Sequence, residues 1–472
     1  MNAQFFVRST VIALVCFLLA AQLSAAVKPH ALFSDGAVLQ RGQKVPVWGT
    51  AGNGEKVTVS ISGQEVSTTA ADGKWRLDLA PLETGGPWEM IISGENTIKL
   101  SNILVGEVWI ASGQSNMQWE VKLCDDSEKV IKESANSQIR LFSVKRQAAL
   151  EVQDDVDAAW QECSPQTVGD FSGVAYFFGR DLQQNLKVPI GLINTSYGGS
   201  PGEAWVPRRA LTAEPDLKKL ASLPTRNDNH SPCGLYNAML HPLIPYAIRG
   251  AIWYQGESNT GRSYEYRTLL TTLIKDWRAE WGQGDFPFLL VQLAPSMRID
   301  YEPKDSGWAE LREAQLRATQ LLPSVGMAVI TDVGQENDSH SKLKAPVGAR
   351  LALAARALAY GEKIPYSGPE FSQQEIAGDR IVLSFKHTDG GLVSLGGGAL
   401  YGFTIAGEDR KFVNAYAEIQ GDKVVVSSVE VKNPVAVRFG WADYPLVNLW
   451  NGAGLPASPF RTDDFPLSTQ PK

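Results

Sequence analysis

The sequence predicts an α/β fold, a parallel sheet covered by helices on both faces, with β-sandwich-like regions before and after it in the chain. Strand-like and helical segments alternate over residues 103–362, which is typical of a parallel sheet. Short strand-like segments separated by turn residues fill residues 27–102, and this pattern returns over 363–472. We therefore predict a signal peptide (1–26), an N-terminal β-sandwich domain, an α/β domain and a C-terminal β-rich domain.

The first 26 residues have the three parts of a secretory signal. Arg8 supplies a positive charge, residues 11–23 form a short apolar core, and Ser24, Ala25 and Ala26 are small enough for cleavage. The apolar core is too short for a membrane span, and no later segment is long and apolar enough. We therefore expect a secreted or periplasmic protein.

The net charge and the number of cysteines limit which partners and which disulfide links we expect. The net charge of -7 disfavours nucleic acid and anionic membrane surfaces as partners. Besides Cys16 in the signal segment, the cysteines are Cys124, Cys163 and Cys233, and their spacing is not that of a zinc site. An oxidising compartment would allow one disulfide among these three, but the sequence does not select the pair.

The secondary structure follows from hydrophobic periodicity and turn residues. In the N-terminal region we predict strands at 45–49, 56–61, 74–79 and 88–92, with turns at 62–63, 72–73 and 85–87. In the α/β domain we predict strands at 105–111, 190–194, 251–254, 288–292 and 327–331, and helices at 172–185, 264–280, 309–321 and 346–360. In the C-terminal region we predict strands at 380–385, 423–427 and 435–439, then a surface tail from 452 to 472.

A candidate nucleophile follows the first strand of the α/β domain, in the sequence Gly113-Gln114-Ser115-Asn116-Met117. Gly113 permits a tight turn, and Ser115 can then lie at the start of a helix, where N–H groups favour negative charge. The alternative is that Ser115 is a simple helix cap.

A hydroxyl nucleophile needs a base, and the five histidines can be compared directly. His30 and His387 lie in the β regions, His230 in a polar loop, and His241 in an apolar segment typical of a structural histidine. His340 lies in a loop that leaves a strand end, where α/β sheets carry their sites. We therefore select His340 as the candidate base, the alternative being a solvated loop histidine.

Two other strands end in segments that could stabilise an oxyanion. A Gly198-Gly199 turn can offer an unobstructed backbone N–H, and Gln255 can offer a side-chain N–H. Glu257 could hold its loop by hydrogen bonds. The alternatives are a plain turn at 198–199 and a polar loop with satisfied side chains at 255–259.

Together these segments resemble the SGNH hydrolase superfamily and, within it, the sialate O-acetylesterase family of carbohydrate esterases. The resemblance covers nearly the whole chain after the signal segment. It includes the Ser115 motif and four further segments, at 31–41 (ALFSDGAVLQR), 174–180 (VAYFFGR), 253–259 (WYQGESN) and 454–462 (GLPASPFRT).

The resemblance implies a metal-independent acyl-enzyme mechanism that uses no cofactor. Ser115 would attack the acetyl carbonyl and contribute its own N–H to the oxyanion hole. Gly198 or Gly199 would supply a second donor and Gln255 a third. His340 would act first as general base and then as general acid.

The third member of a triad departs from the superfamily pattern. An Asp often lies three residues before the His, but here that residue is Asn337, and Asp338 lies two before. Either the Asp338 carboxylate orients His340 or a backbone carbonyl does so, and we favour Asp338 slightly. Ser341 also follows the His where the family tends to have Pro.

The substrate is less well defined by the sequence. Asn116, Glu257, Trp205 and Trp253 are the predicted substrate-binding residues, and Trp119 and Tyr197 could also stack on a sugar, although each aromatic could equally be a core residue. We expect an O-acetylated carbohydrate, with sialic acid first and acetylated xylan or another plant glycan as the alternative. The sequence leaves the oligomeric state open.

Other function classes have less support. A non-catalytic glycan-binding protein built on the two β regions is the remote alternative, and the joint presence of Ser115, His340 and Gln255 argues against it. A serine peptidase lacks a visible pro-segment, and a lipase lacks an apolar helix beside the site.

Overall fold

The computed structural model describes residues 26–471, so the predicted signal segment, with Cys16, lies outside the described residues except for Ala26. The N-terminal strands are β1 (Lys28–Pro29), β2 (Val38–Gln40), β3 (Val45–Thr50), β4 (Lys56–Ile61), β5 (Gln64–Thr69), β6 (Lys74–Leu79) and β7 (Gly85–Ser93). Strands β1, β3 and β6 form one antiparallel sheet, while β4 pairs with β5 and β7.

Local sequence explains most of this region. Ser62 and Gly63 both have positive φ (49° and 78°), as a tight hairpin turn requires, and they join β4 to β5. Strand β5 was not predicted because its residues, QEVSTT, show almost no apolar alternation. The turn predicted at 85–87 is wrong, because these residues begin β7.

The central sheet is mixed and mostly parallel. Its strands are β8 (Thr97–Gly113), β9 (Asn136–Ser143), β10 (Trp160–Cys163), β11 (Ile190–Ser196), β12 (Gly250–Tyr254), β13 (Phe288–Val291) and β14 (Val325–Ala328). Their spatial order is β10-β9-β11-β8-β12-β13-β14, and within this row only β10 runs antiparallel to its neighbour. The long strand β8 also pairs with β2 in parallel and with β7 in antiparallel orientation. Strand β8 lies between β11 and β12, so its carboxyl end is flanked by the loops that follow both.

The helices are α1 (Ser115–Gln118), α2 (Ser127–Lys132), α3 (Gly173–Leu186), α4 (Arg208–Ala213), α5 (Lys218–Ala221), α6 (Ser263–Trp281), α7 (Gly307–Leu321) and α8 (Ala345–Leu358). The four predicted helices are confirmed as α3, α6, α7 and α8, with ends within two residues. Gly282 ends α6 in the left-handed conformation (φ 65°), as expected for a glycine after a helix. No helix within residues 26–471 is both long and apolar enough to cross a membrane.

The C-terminal strands are β15 (Glu370–Ala377), β16 (Arg380–Lys386), β17 (Leu392–Ser394), β18 (Phe403–Ala406), β19 (Val413–Asn414), β20 (Tyr416–Gln420), β21 (Lys423–Ser427), β22 (Ala436–Phe439), β23 (Leu449–Asn451) and β24 (Phe460–Arg461). They form two four-stranded antiparallel sheets and one two-stranded sheet around a separate core. The predicted surface tail is partly wrong, because Phe460 is buried in this core and stacks on Phe371.

The described residues have one large core, a smaller C-terminal core, and a small cluster of Ala309, Trp441 and Leu467 between α7 and the C-terminal region. The large core runs continuously from Val27 to Ala355, and β8 crosses the predicted boundary between residues 102 and 103. Strands β2, β4, β5 and β7 therefore belong to the same sheet as β8, whereas β1, β3 and β6 form a separate sheet, and the domain boundaries stay predictions. Cys124, Cys163 and Cys233 are all free and buried, so the disulfide that the sequence allowed is not formed.

Candidate active site

The nucleophile turn is built on a close approach between two strands. Gly113 ends β8 with φ 138°, and a Cβ at this position would lie 2.1 Å from the Tyr254 carbonyl oxygen. Only glycine fits there without moving β12. The chain then turns into the short helix α1, which places the partly exposed Ser115 at the carboxyl edge of the sheet.

The structure brings Ser115 and His340 together. His340 lies in the loop between β14 and α8, and its Nε2 atom is 2.8 Å from Ser115 Oγ. The Trp119 ring stacks on the imidazole, with centroids 5.4 Å apart and planes inclined by 12°. A neutral imidazole in this position can accept the serine proton, so the pair has the geometry of a nucleophile and its base.

Asp338 is close to His340 but is not hydrogen-bonded to its ring. The Asp338 Oδ1 atom lies 3.5 Å from Nδ1, whereas the His340 backbone N–H donates to the same oxygen at 2.8 Å. Both side chains are partly exposed, the His340 side chain by 35% and the Asp338 side chain by 44%. The carboxylate therefore shapes the loop by a hydrogen bond and acts on the ring through charge.

The pKa of His340 is lowered from its ordinary value. Burial is the largest cause, because it disfavours the charged imidazolium, and the positive charge of Lys344 acts in the same direction. Asp338 opposes both by favouring the imidazolium. The imidazole therefore stays neutral, and able to accept a proton, at pH values below those at which a histidine is ordinarily protonated.

The two glycines of the predicted oxyanion turn differ in their hydrogen bonding. The Gly198 N–H donates to Gln118 Oε1 at 2.7 Å and is therefore occupied. Gly199 has φ 74°, and its N–H donates no hydrogen bond within residues 26–471. The Ser115 N–H opens α1 and has no acceptor inside the helix. Ser115 and Gly199 are thus the candidate donors.

Gln255 does not point toward the nucleophile, contrary to the prediction. It is fully buried, and its Nε2 donates to Asn259 Oδ1 at 2.7 Å and to Ser200 O and Gln114 Oε1 at 3.2 Å. Its Oε1 accepts the Tyr266 hydroxyl at 2.7 Å. Every polar atom of this amide is committed to bracing the loops after β8, β11 and β12.

Asn116 and Glu257, both predicted to bind substrate, instead bind one another. Asn116 is buried, and its Nδ2 donates to Glu257 Oε1 at 2.6 Å and to Ser339 O at 2.8 Å. Lys344 completes the group by donating to Asn116 Oδ1 at 2.5 Å. These side chains lie beneath the catalytic pair and join its loops.

Trp205 and Trp253 are core residues. Both are fully buried, and their rings meet edge to face with centroids 6.1 Å apart. Trp253 makes a second such contact with Trp277. Neither ring can stack on a sugar, so their prediction as substrate-binding residues is wrong.

The sequence reasoning missed Gln118 and Lys344, and it did not predict that Trp119 stacks on His340. Gln118 lies one helical turn after Ser115, and Lys344 lies four residues after His340, directly before α8. The spacing of these two residues from Ser115 and His340 is the sequence feature that could have identified them. In the described part of the chain, no group of three or more His, Cys, Asp and Glu side chains is arranged to hold a metal ion.

The chain is similar to known carbohydrate esterases over most of its length. The profile of a family described as carbohydrate esterase, sialic acid-specific acetylesterase, matches residues 105–357. Human sialate O-acetylesterase is 31% identical over 465 residues, covering 88% of this chain and 88% of the human protein. The mouse protein of the same name is 29% identical, covering 88% and 90%. A crystal structure of a carbohydrate acetylesterase from Xanthomonas citri is 39% identical, with a TM-score of 0.87, covering 93% of this chain and 100% of that one.

Proposed function

Because this chain belongs to the sialate O-acetylesterase family of carbohydrate esterases and is a carboxylic ester hydrolase, we propose that it releases acetate from O-acetylated sialic acids. The observation that carries the proposal is the distance of 2.8 Å between Ser115 Oγ and His340 Nε2. The predicted signal segment supports action outside the cytoplasm, as a secreted or periplasmic enzyme.

In the proposed reaction, Ser115 Oγ attacks the acetyl carbonyl carbon while its proton passes to His340 Nε2. The carbonyl oxygen becomes an oxyanion, which accepts hydrogen bonds from the N–H groups of Ser115 and Gly199. The ester C–O bond then breaks, and His340 returns the proton to the departing sugar oxygen. Water attacks the acetyl-serine by the same sequence of steps and releases acetate.

We also propose that the α/β domain has the SGNH arrangement, in which helices cover both faces of the sheet. Helices α3 and α8 pack on each other, and α6 packs on α7. Helix α3 contacts β9 and β11, whereas α7 and α8 contact β14. Two helix pairs on a largely parallel sheet support this arrangement.

An acetylated plant glycan such as acetylxylan is the second candidate substrate, because the lysine beside the catalytic pair cannot serve a sialic acid. A sialic acid carries a carboxylate, which a cation beside the nucleophile would bind. Lys344, the cation joined to Asn116 next to Ser115, is only 1% exposed and already hydrogen-bonded. It is therefore not available to a substrate carboxylate.

Acetate release separates these candidates. The wild type and Ser115→Ala would be assayed on O-acetylated sialic acid and on acetylated xylo-oligosaccharides, with matched folding checked by thermal unfolding. We expect release from the sialic acid by the wild type and essentially none by Ser115→Ala. Release from xylo-oligosaccharides alone would replace the proposed substrate with the second candidate. Release that survives in Ser115→Ala would refute the proposed nucleophile.

A further inference from the structure

A buried lysine lies directly behind the catalytic pair. Lys344 is 1% exposed, and its Nζ lies 5.6 Å from the ring centroids of both Trp119 and Tyr254. Its hydrogen bond to Asn116 Oδ1 is 2.5 Å long. Burying an ammonium group is costly unless other groups compensate its charge. The aromatic faces and the amide oxygen supply part of that compensation.

Asn116 connects Lys344 to a carboxylate and to the loop that carries His340. Its Nδ2 donates to Glu257 Oε1 and to the backbone oxygen of Ser339, the residue before His340. The other carboxylate oxygen, Glu257 Oε2, is buried and has no hydrogen-bond partner within residues 26–471. One amide thus joins a lysine and a glutamate and also ties the residue after Ser115 to the residue before His340.

We propose that the Lys344–Asn116–Glu257 bridge is a positioning device that holds Ser115 and His340 at hydrogen-bond distance and fixes a positive charge behind the imidazole. The inference rests on the proposed catalytic roles of Ser115 and His340. None of the three bridging residues touches the reacting atoms, so each acts through the catalytic pair. The bridge connects the carboxyl ends of β8 and β12 with the start of α8, so movement of either loop would break at least one of its hydrogen bonds.

The charged groups around the bridge make its effect on activity depend on pH. His340 is faced by Asp338, Lys344 and the Ser115 hydroxyl, and Lys344 is faced by Cys124, Glu257 and Asp338. Burial lowers the pKa of Lys344 to about 8, while Cys124, Glu257 and Asp338 act in the opposite direction. Lys344 is thus charged wherever His340 titrates, and its charge lowers the pKa of His340. Above about pH 8 the ammonium loses its proton and the bridge weakens.

The first test replaces Lys344 by Met, which keeps chain length and removes the charge. Lys342→Met is the matched control, because Lys342 is an exposed lysine of the same loop. For Lys344→Met we expect kcat to fall by about 10- to 100-fold, with KM within about twofold, since the change acts on positioning rather than on binding. The acidic limb of kcat/KM should move to higher pH and the alkaline limb near pH 8 should vanish. Lys342→Met should match the wild type.

Glu257→Gln gives a second, independent test that also serves if Lys344→Met does not fold. It keeps an oxygen for Asn116 but removes the negative charge that supports the ammonium. The pKa of Lys344 should therefore fall, and the alkaline limb should move to lower pH. In the double variant, the loss in kcat should be smaller than the product of the two single losses, because both changes break one bridge.

The positioning role would be refuted if both single variants kept the wild-type pH limbs, or if the two losses in kcat multiplied in the double variant. These results are distinct from failure of the proposed function. If Ser115→Ala were as active as the wild type, the assignment of the catalytic pair would fail first. If Ser115→Ala were inactive and the bridge variants kept the wild-type kcat and pH profile, only the bridge would be refuted.

Discussion

The Asp338 carboxylate decides whether this site works as a full triad or as a pair with electrostatic support. Its oxygen lies 3.5 Å from His340 Nδ1, which is longer than a normal N–H···O hydrogen bond. At this distance, two unit charges interact by ~1 kcal/mol in water and by ~5 kcal/mol at an effective dielectric constant of 20. Because both side chains are partly exposed, we take ~1–2 kcal/mol, which corresponds to a five- to thirtyfold effect on rate.

Asp338→Asn is the sharpest perturbation, because the amide oxygen can still accept the His340 backbone N–H and so preserve the loop. We expect kcat to fall by roughly tenfold, against on the order of 10⁴-fold or more for His340→Ala, which removes the base. The loss of a negative charge should also move the acidic limb of kcat/KM to lower pH.

The assay is steady-state acetate release from a soluble acetyl ester across pH, with Asp338→Ala measured in parallel. Asp338→Ala removes both the charge and the backbone acceptor, so its loss should exceed that of Asp338→Asn but stay well below that of His340→Ala. Equal losses for Asp338→Asn and His340→Ala would refute the electrostatic reasoning and establish a full triad.

Three further outcomes follow from the geometry. Trp253→Ala should destabilise the protein by about 3–5 kcal/mol with KM unchanged, and a raised KM at unchanged melting temperature would instead indicate sugar stacking. Gly198→Ala should lower kcat, since its Cβ would lie 3.3 Å from the Ser115 Cβ and 3.2 Å from Gln118 Oε1; wild-type kcat would show that this turn tolerates displacement. Because burial lowers the pKa of His340, wild-type kcat/KM should hold to below pH 6.5 and fall only as the imidazole is protonated, and a midpoint above 6.5 would contradict that sign.

Periodicity predicted several elements whose burial is one-sided or complete, although it missed β2, whose three residues are all buried. Strands such as β6, with alternating buried and exposed residues, and helices such as α6 were located within two residues. Strands β9 and β10 were missed. The first half of β9 is polar, and β10 is only four residues long with buried residues at its two ends, so neither has a clear period.

The catalytic pair was predictable because Ser115 and His340 both follow strand ends, and parallel strands bring those ends to one edge. The directions of neighbouring side chains were not predictable in the same way. Gln255 lies in the expected loop and Asn116 at the start of α1, yet their amides turn inward, and only tertiary packing determines that. The same holds for Trp253, whose position beside the motif gave no indication of its burial.

The cost of burying polar groups explains why the inward-facing amides of the motifs are bonded to other loops. A nucleophile at a sheet edge needs the loops around it to stay fixed. A buried amide without hydrogen-bond partners would cost free energy, so a buried amide that bonds to a neighbouring loop also holds that loop in place. Gln255 and Asn116 do this between loops, which makes them braces rather than substrate contacts. The partly exposed side chains at the rim, of which Tyr197 and Asn229 border the glycine turn, are then left to contact the proposed sugar substrate. Substitutions there should change KM among substrates, whereas substitutions of the braces should lower kcat for all of them.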